Sequence, residues 1–184
     1  MYQPLIKFHP HPAIITQVLI IFAVIKKMTM KKNLIIAVLM PVLVVLSYLY
    51  AVGFQIEFRP LLTLILMVGL MAMAIRRAGN TYEMMSQVMK DMTAWRSSAS
   101  IYIAEIALPY IALPIFTFGG SFPYSTIIVY LSLPVAIACT KTMKNAIKGG
   151  PAMIADLDDR TANLQAIFSV LFSVAFISSR VFGI

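Results

Sequence analysis

Residues 60–75, PLLTLILMVGLMAMAI, form a continuous apolar stretch that ends at the basic pair Arg76-Arg77. A membrane-spanning helix needs roughly 20 mostly apolar residues. Four further stretches meet or approach this length, and one more is shorter. The stretches cover residues 13–25 (the short one), 33–54, 60–75, 98–118, 123–140 and 161–182. The sequence therefore predicts an all-α polytopic bundle that crosses a membrane about six times.

The composition supports a lipid environment. Of 184 residues, 60% are hydrophobic and only 12% are charged. A soluble domain of this size needs more charge to cover its surface. The net charge of +8 lies in short segments between apolar stretches, which is typical of membrane proteins and gives no reason to expect nucleic acid as a partner. We expect an integral protein of a prokaryotic plasma membrane or an organelle inner membrane.

Basic residues mark every second connection along the chain. Residues 55–59 carry one Arg and one Glu, and residues 119–122 carry no charge. Basic connections stay in the cytoplasm. Residues 1–184 are thus expected to form one transmembrane domain with cytoplasmic loops at 76–97 and 141–160. Both termini, including an arm of residues 1–12, are expected on the outer side. The basic residues are Lys26, Lys27, Lys31, Lys32, Arg76, Arg77, Lys90, Arg96, Lys141, Lys144, Lys148 and Arg160.

The two longer cytoplasmic loops have internal patterns. In the loop at 76–97, methionines at helical spacing predict an amphipathic helix that lies on the interface or caps the bundle. In the loop at 141–160, the helix predicted at 123–140 is expected to continue as a basic extension and to end at Gly149-Gly150-Pro151.

Ionisable residues within apolar stretches are candidates for function. Glu105 is such a residue, and we expect it to line a polar cavity or to pair with a basic group such as Arg96. The acidic run Asp156, Asp158 and Asp159 precedes a helix predicted to begin near Thr161. Its carboxylates are expected to cap that helix, and a Mg²⁺ or Ca²⁺ site is the alternative.

Three segments together resemble a known family. Residues 24–29, VIKKMT, followed by Asn33 are similar to its K-R-x-T loop. Residues 131–134, LSLP, and 160–165, RTANLQ, are similar to its last two helices. Residues 74–83, AIRRAGNTYE, occupy the place of its second acidic motif, typically A-I-R-D-I-E-G-D-Y-E. The order resembles the C-terminal two-thirds of the UbiA superfamily of intramembrane prenyltransferases, in its menaquinone-type branch.

This resemblance implies the last six of nine helices and a loss of the family's chemistry. The family uses two aspartate-rich motifs to hold the Mg²⁺ that neutralises a prenyl diphosphate. The helices of the first motif have no counterpart, and the aspartate positions of the second read Arg77 and Thr81. We therefore expect no catalytic residues and no cofactor. The residues that could still bind a ligand are Arg76, Arg77, Glu83, Lys90, Asp91 and Glu105.

Three functions remain open at this point. The first, which we favour, is a non-catalytic subunit of a larger membrane assembly, in contact with lipids and other membrane chains and with a cleft for a lipid, quinone or isoprenoid. The second is half of a split prenyltransferase that needs Mg²⁺ and a separate N-terminal chain. The third is a small transporter or channel module, which the chain length and the prolines within apolar stretches would fit.

Overall fold

The computed structural model describes residues 32–55, 57–87 and 92–182. These residues form helices and turns, and no strand occurs among them. The α-helices are α1 (Lys32–Ala51), α2 (Phe58–Gln87), α3 (Met92–Phe118), α4 (Leu133–Gly149) and α5 (Leu157–Phe182). A 3₁₀ helix, Tyr124–Ser132, leads into α4, and a short one, Pro151–Ile154, precedes α5. The all-α prediction is confirmed, while the arm at 1–12 and the short stretch at 13–25 lie outside the described residues.

Four helical stretches are long and apolar enough to cross a membrane. They are Phe58–Met85, Thr93–Phe118, Tyr124–Gly149 and Pro151–Phe182. Helix α1 adds a shorter apolar helix, Ile35–Ala51. The described part of the chain thus forms a bundle suited to a membrane, whereas the count of about six spans stays a prediction.

Helix α2 is longer than the sequence indicated. The segment at 76–97 was predicted to be a loop with its own amphipathic helix, but α2 runs unbroken to Gln87 and α3 begins at Met92. The reason is that the buried face of α2 continues past the arginines, with Met71, Ala78 and Met85 all buried at intervals of seven. A separate helix in this loop was therefore a wrong prediction.

Glycines end helices at one end of the bundle. The predicted span at 33–54 stops at Ala51 because Gly53 and Phe54 have φ of 63° and 62°. The N–H of Phe54 then donates to the carbonyl of Leu49 at 2.9 Å. Helix α3 ends in the same way around Gly120, whose φ is 76°, and the Ser121 N–H donates to the Phe116 carbonyl at 2.9 Å. Both are Schellman-type ends.

Helix α4 ends where the sequence predicted. It extends beyond residue 140 to Gly149, and Gly150, with φ of 91°, donates its N–H to the Ala146 carbonyl at 2.8 Å. At its start, Pro134 has no N–H and its ring excludes a carbonyl four residues back. The Tyr130 carbonyl instead accepts from the N–H of Leu133, which is a 3₁₀ contact.

The helix directions follow from contacts between distant side chains. Asn33 of α1 donates to Asp158 of α5, and the rings of Tyr48 and Phe176 lie edge to face at 5.5 Å. The first contact joins the N-terminal ends of the two helices and the second joins their C-terminal parts, so α1 and α5 are parallel. Thr81 meets Ser98 at 2.6 Å where α2 ends and α3 begins. The N-terminal ends of α1, α3 and α5 therefore lie at the same end of the bundle as the C-terminal ends of α2 and α4.

One end of the bundle holds the N-terminal ends of α1, α3 and α5 and the C-terminal ends of α2 and α4. We call it the basic end, because exposed cations concentrate there. Its sidedness in a membrane stays a prediction. The exposed basic residues at this end are Arg76, Arg96, Lys141, Lys144, Lys148 and Arg160.

Helix α5 is the central helix of the described bundle. It packs against α1, α2, α4 and the 3₁₀ helix at Tyr124–Ser132. Phe168, Phe172 and Phe176 follow one face of α5 and are almost fully buried. Phe122 packs edge to face on Phe172 and Phe176 at 5.9 and 5.8 Å. These aromatic contacts hold the turn just before the 3₁₀ helix against α5.

Paired hydroxyl groups connect the helices. Tyr102 of α3 meets Thr161 of α5 at 2.7 Å, and Thr161 in turn donates to the Leu157 carbonyl. Since Thr161 has one proton, Tyr102 is the donor to it. Tyr110 and Ser132 form a second pair of the same kind at 2.6 Å. Such hydrogen bonds satisfy polar groups that lipid cannot, and they hold neighbouring membrane helices together.

Candidate functional site: a buried ion pair near the basic end

Arg77 and Glu105 form a fork-shaped ion pair between α2 and α3. The Nε atom of Arg77 donates to both carboxylate oxygens at 2.9 Å, and Nη2 donates to Oε1 at 2.8 Å. The side chain of Glu105 is 5% exposed and that of Arg77 is 29% exposed. The pair is therefore sealed on the carboxylate side and partly open on the guanidinium side.

Local packing brings the two residues together. One turn beyond Arg77, the Thr81 hydroxyl donates to the Arg77 carbonyl at 2.7 Å and meets Ser98. Small residues are buried near these contacts, namely Ala74 and Ala78 on α2 and Ala99 on α3. Small side chains allow the backbones of membrane helices to approach closely.

The electrostatics favour a closed, neutral unit. An isolated carboxylate in an apolar interior is costly, and an arginine beside it offsets that cost because its guanidinium stays charged. Both oxygens of Glu105 already accept hydrogen bonds from Arg77. The ion pair can hold α2 against α3, and the outer part of the guanidinium stays exposed.

Of the alternatives for Glu105, the structure shows pairing with a basic group, but with a different cation from the named one. Arg96, the named example, is exposed on α3, whereas Arg77 is the partner. Arg77 lies 28 positions before Glu105, so no local spacing rule could identify it.

The remaining candidate residues fall into two groups. Arg76 and Glu83 are exposed on the last turns of α2, and Lys90 and Asp91 lie outside the described residues. Of the six ligand candidates, the structure brings Arg77 and Glu105 together. Thr81 uses its hydroxyl within the helix pair.

The acidic run lies within the start of α5 and not wholly before it. The helix begins at Leu157, earlier than the predicted start near Thr161, because Leu157 is fully buried and opens the packed face. Asp158 and Asp159 therefore occupy the first turn, where the helix dipole stabilises negative charge.

Two carboxylates of this run have separate partners. Asp156 pairs with Arg160, and the distance from Arg160 Nη2 to Asp156 Oδ2 is 2.9 Å. Asp158 accepts from the Asn33 amide at 3.1 Å. Within residues 32–55, 57–87 and 92–182, no group of three His, Cys, Asp or Glu side chains is placed to hold a metal ion.

A set of polar residues on α5 was not among the sequence predictions. Gln165, Ser169 and Ser173 are buried, and their spacing of four places them on one face of the helix. That spacing was the signal that could have identified them, but serines in apolar helices are common and the stretch was interpreted as a span.

Comparisons of the whole chain with known protein families, with curated proteins and with solved structures find no match. The functional assignment therefore depends on the geometry described above.

Proposed function

We propose that this chain is a non-catalytic integral membrane subunit that packs within a larger membrane assembly. The observation that carries the proposal is the ion pair of Arg77 with Glu105. Arg77 takes the place of an aspartate in the motif that the sequence resembles, and Glu105 is committed to it.

The chemistry of diphosphate release explains why this pair matters. Mg²⁺ at such a site is held by carboxylates, and it neutralises the charge that develops on the leaving group. A guanidinium at a ligand position repels the cation. The carboxylate that approaches this position has both oxygens occupied by the guanidinium. The pair stabilises a helix contact in the place where a ligand set would be required.

The surface supports contact with lipid and with other membrane chains. Many large apolar side chains are exposed, with Phe58 at 73% and Leu131 at 69%. On α2, a Cβ added to Gly69 would meet no atom within 4 Å, so internal packing does not require glycine there. Gly69 is half-buried, and an accessible glycine on a membrane helix allows close approach of another helix. A lipid, quinone or isoprenoid against these faces belongs to the same proposal.

The deciding experiment is a binding titration of the purified chain in nanodiscs. Farnesyl or geranylgeranyl diphosphate is titrated with and without Mg²⁺, and we expect no dependence of affinity on the metal. Weak metal-independent binding near the exposed cations is compatible with the proposal. Affinity that rises about tenfold with Mg²⁺, close to 1.4 kcal/mol, and falls in the Glu83→Gln variant would support the split prenyltransferase instead.

A further inference from the structure

The unpaired polar atoms of the described bundle are concentrated between two helices. Among the described residues, the buried side-chain atoms that lack a hydrogen-bond partner are Oδ1 of Asn33, Oη of Tyr48, both amide atoms of Gln165, and Oγ of Ser169 and Ser173. All lie on α1 or α5. We call these five residues the polar seam.

The polar seam extends along most of the bundle. Gln165, Ser169 and Ser173 are spaced four residues apart on α5, which is about one helical turn. At a rise of 1.5 Å per residue they cover about 12 Å. On α1, Asn33 lies at the basic end beside Asp158, and Tyr48 lies near the other end beside Phe176. Because α1 and α5 are parallel, the polar groups of both helices follow the same direction.

The rest of the bundle shows that this concentration is specific. One turn before Gln165, Thr161 is paired with Tyr102, and other buried hydroxyls pair across helices in the same way. Gln165 differs because its side chain is fully buried and its amide carries two donors and one acceptor without a described partner. A serine can turn to a carbonyl of its own helix, but an amide with three unpaired sites requires other groups.

The chemistry of the polar seam defines the ligand that would fit. Its groups are neutral, and hydroxyls and amides both donate and accept hydrogen bonds. Among the described residues, the Asp158 carboxylate meets the seam at Asn33, from which it accepts a hydrogen bond. Phe172 and Phe176 fill the neighbouring volume, so the ligand must be small. Water is neutral and small, and it typically bridges buried polar groups with about three hydrogen bonds.

We propose that the polar seam binds a row of internal water molecules between α1 and α5, centred on the amide of Gln165. These waters bridge the amide to the serine hydroxyls of α5 and to Tyr48 of α1. The site is independent of the Arg77–Glu105 pair, and it gives the bundle a hydrated interior within otherwise apolar helices.

Radiolytic footprinting of the full chain in nanodiscs tests this site. Hydroxyl radicals that form from bound water oxidise adjacent side chains. Met40, which packs in one cluster with Ala162 of α5, and Tyr48 are reporters, and Met143 is a control of equal burial on α4. We expect oxidation of Met40 and Tyr48 to exceed that of Met143. In the Gln165→Leu variant this excess should be lost, while Met143 is unchanged.

Equal protection of Met40, Tyr48 and Met143 in the unmodified chain would overturn the proposal, because the seam would then be dry or filled by protein groups. Oxidation that persists at full rate in Gln165→Leu would overturn it as well. If that variant does not fold, Ser169→Ala replaces it, and reduced oxidation of Met40 and Tyr48 is again required. The variant Ser100→Ala, at an exposed serine bonded to its own helix, should leave the pattern unchanged.

Discussion

The hydroxyl of Tyr130 donates to the carbonyl oxygen of Tyr110 at 2.7 Å. Pro114, four residues after Tyr110 in α3, has no N–H to offer that carbonyl. Membrane helices tolerate proline where a neighbouring group replaces the lost hydrogen bond. A side chain of the 3₁₀ helix thus completes the hydrogen bonding of α3.

Replacement of Tyr130 by Phe should therefore destabilise the chain by about 1 kcal/mol, since the Tyr110 carbonyl loses its donor. In a Pro114→Ala background the same change should cost less, because residue 114 then donates its own N–H. A double-mutant cycle from unfolding in detergent measures the difference. Equal costs in both backgrounds would show that the two residues are not coupled.

The ion pair makes a second prediction. Arg77→Ala leaves the carboxylate of Glu105 buried without its partner, and we expect a loss of about 2 kcal/mol or more, below the 3–5 kcal/mol of a fully buried pair because Arg77 is partly exposed. The double variant Arg77→Met with Glu105→Leu should recover most of this loss. Thermal unfolding in nanodiscs provides the measurement. A double variant no more stable than Arg77→Ala would contradict the account.

Two glycines should respond to alanine with opposite signs. Gly120 has φ of 76°, so Gly120→Ala should destabilise the Schellman end of α3 by about 1 kcal/mol. Gly69 lies inside α2 with open space around a Cβ, so Gly69→Ala should stabilise the isolated chain by a few tenths to about 1 kcal/mol. A shared sign in unfolding experiments would contradict these backbone assignments.

The orientation can be tested by labelling intact cells. Cys139 is buried and is first replaced by Ala, which removes the single cysteine of the chain. An impermeant maleimide added outside should then label Ser121→Cys, near the uncharged connection, and should not label Lys144→Cys at the basic end. Labelling of Lys144→Cys in sealed cells would reverse the predicted sidedness.

The sequence was informative where the cause is local. Apolar stretches predicted the helices, and Gly149-Gly150-Pro151 predicted the end of α4, because hydropathy and backbone restriction act at the residues that carry them. The charge of Arg77 was misleading, because its effect depends on a residue that is distant in the sequence. A charge after an apolar stretch indicates the end of a span, but Glu105 on α3 neutralises this charge and α2 continues to Gln87.

The start of α5 and the polar seam show the same limit. Asp158 was assigned to the region before the helix, yet the burial of Leu157 moves the start earlier, and burial depends on other helices. The spacing of Gln165, Ser169 and Ser173 indicates a shared helix face, but it does not show that this face lies against α1. Such features require the positions of α1 and α5 together, which are distant in the sequence.

The hydrogen bond between Asn33 and Asp158 joins residues 125 positions apart. During synthesis at about 5–20 residues per second, α1 would wait roughly 6–25 s before its partner helix leaves the ribosome. Throughout this interval its polar groups would face lipid, insertion machinery or another chain. Packing of α1 in the described bundle therefore waits for α5, and a ribosome that stops before α5 would release a product prone to degradation.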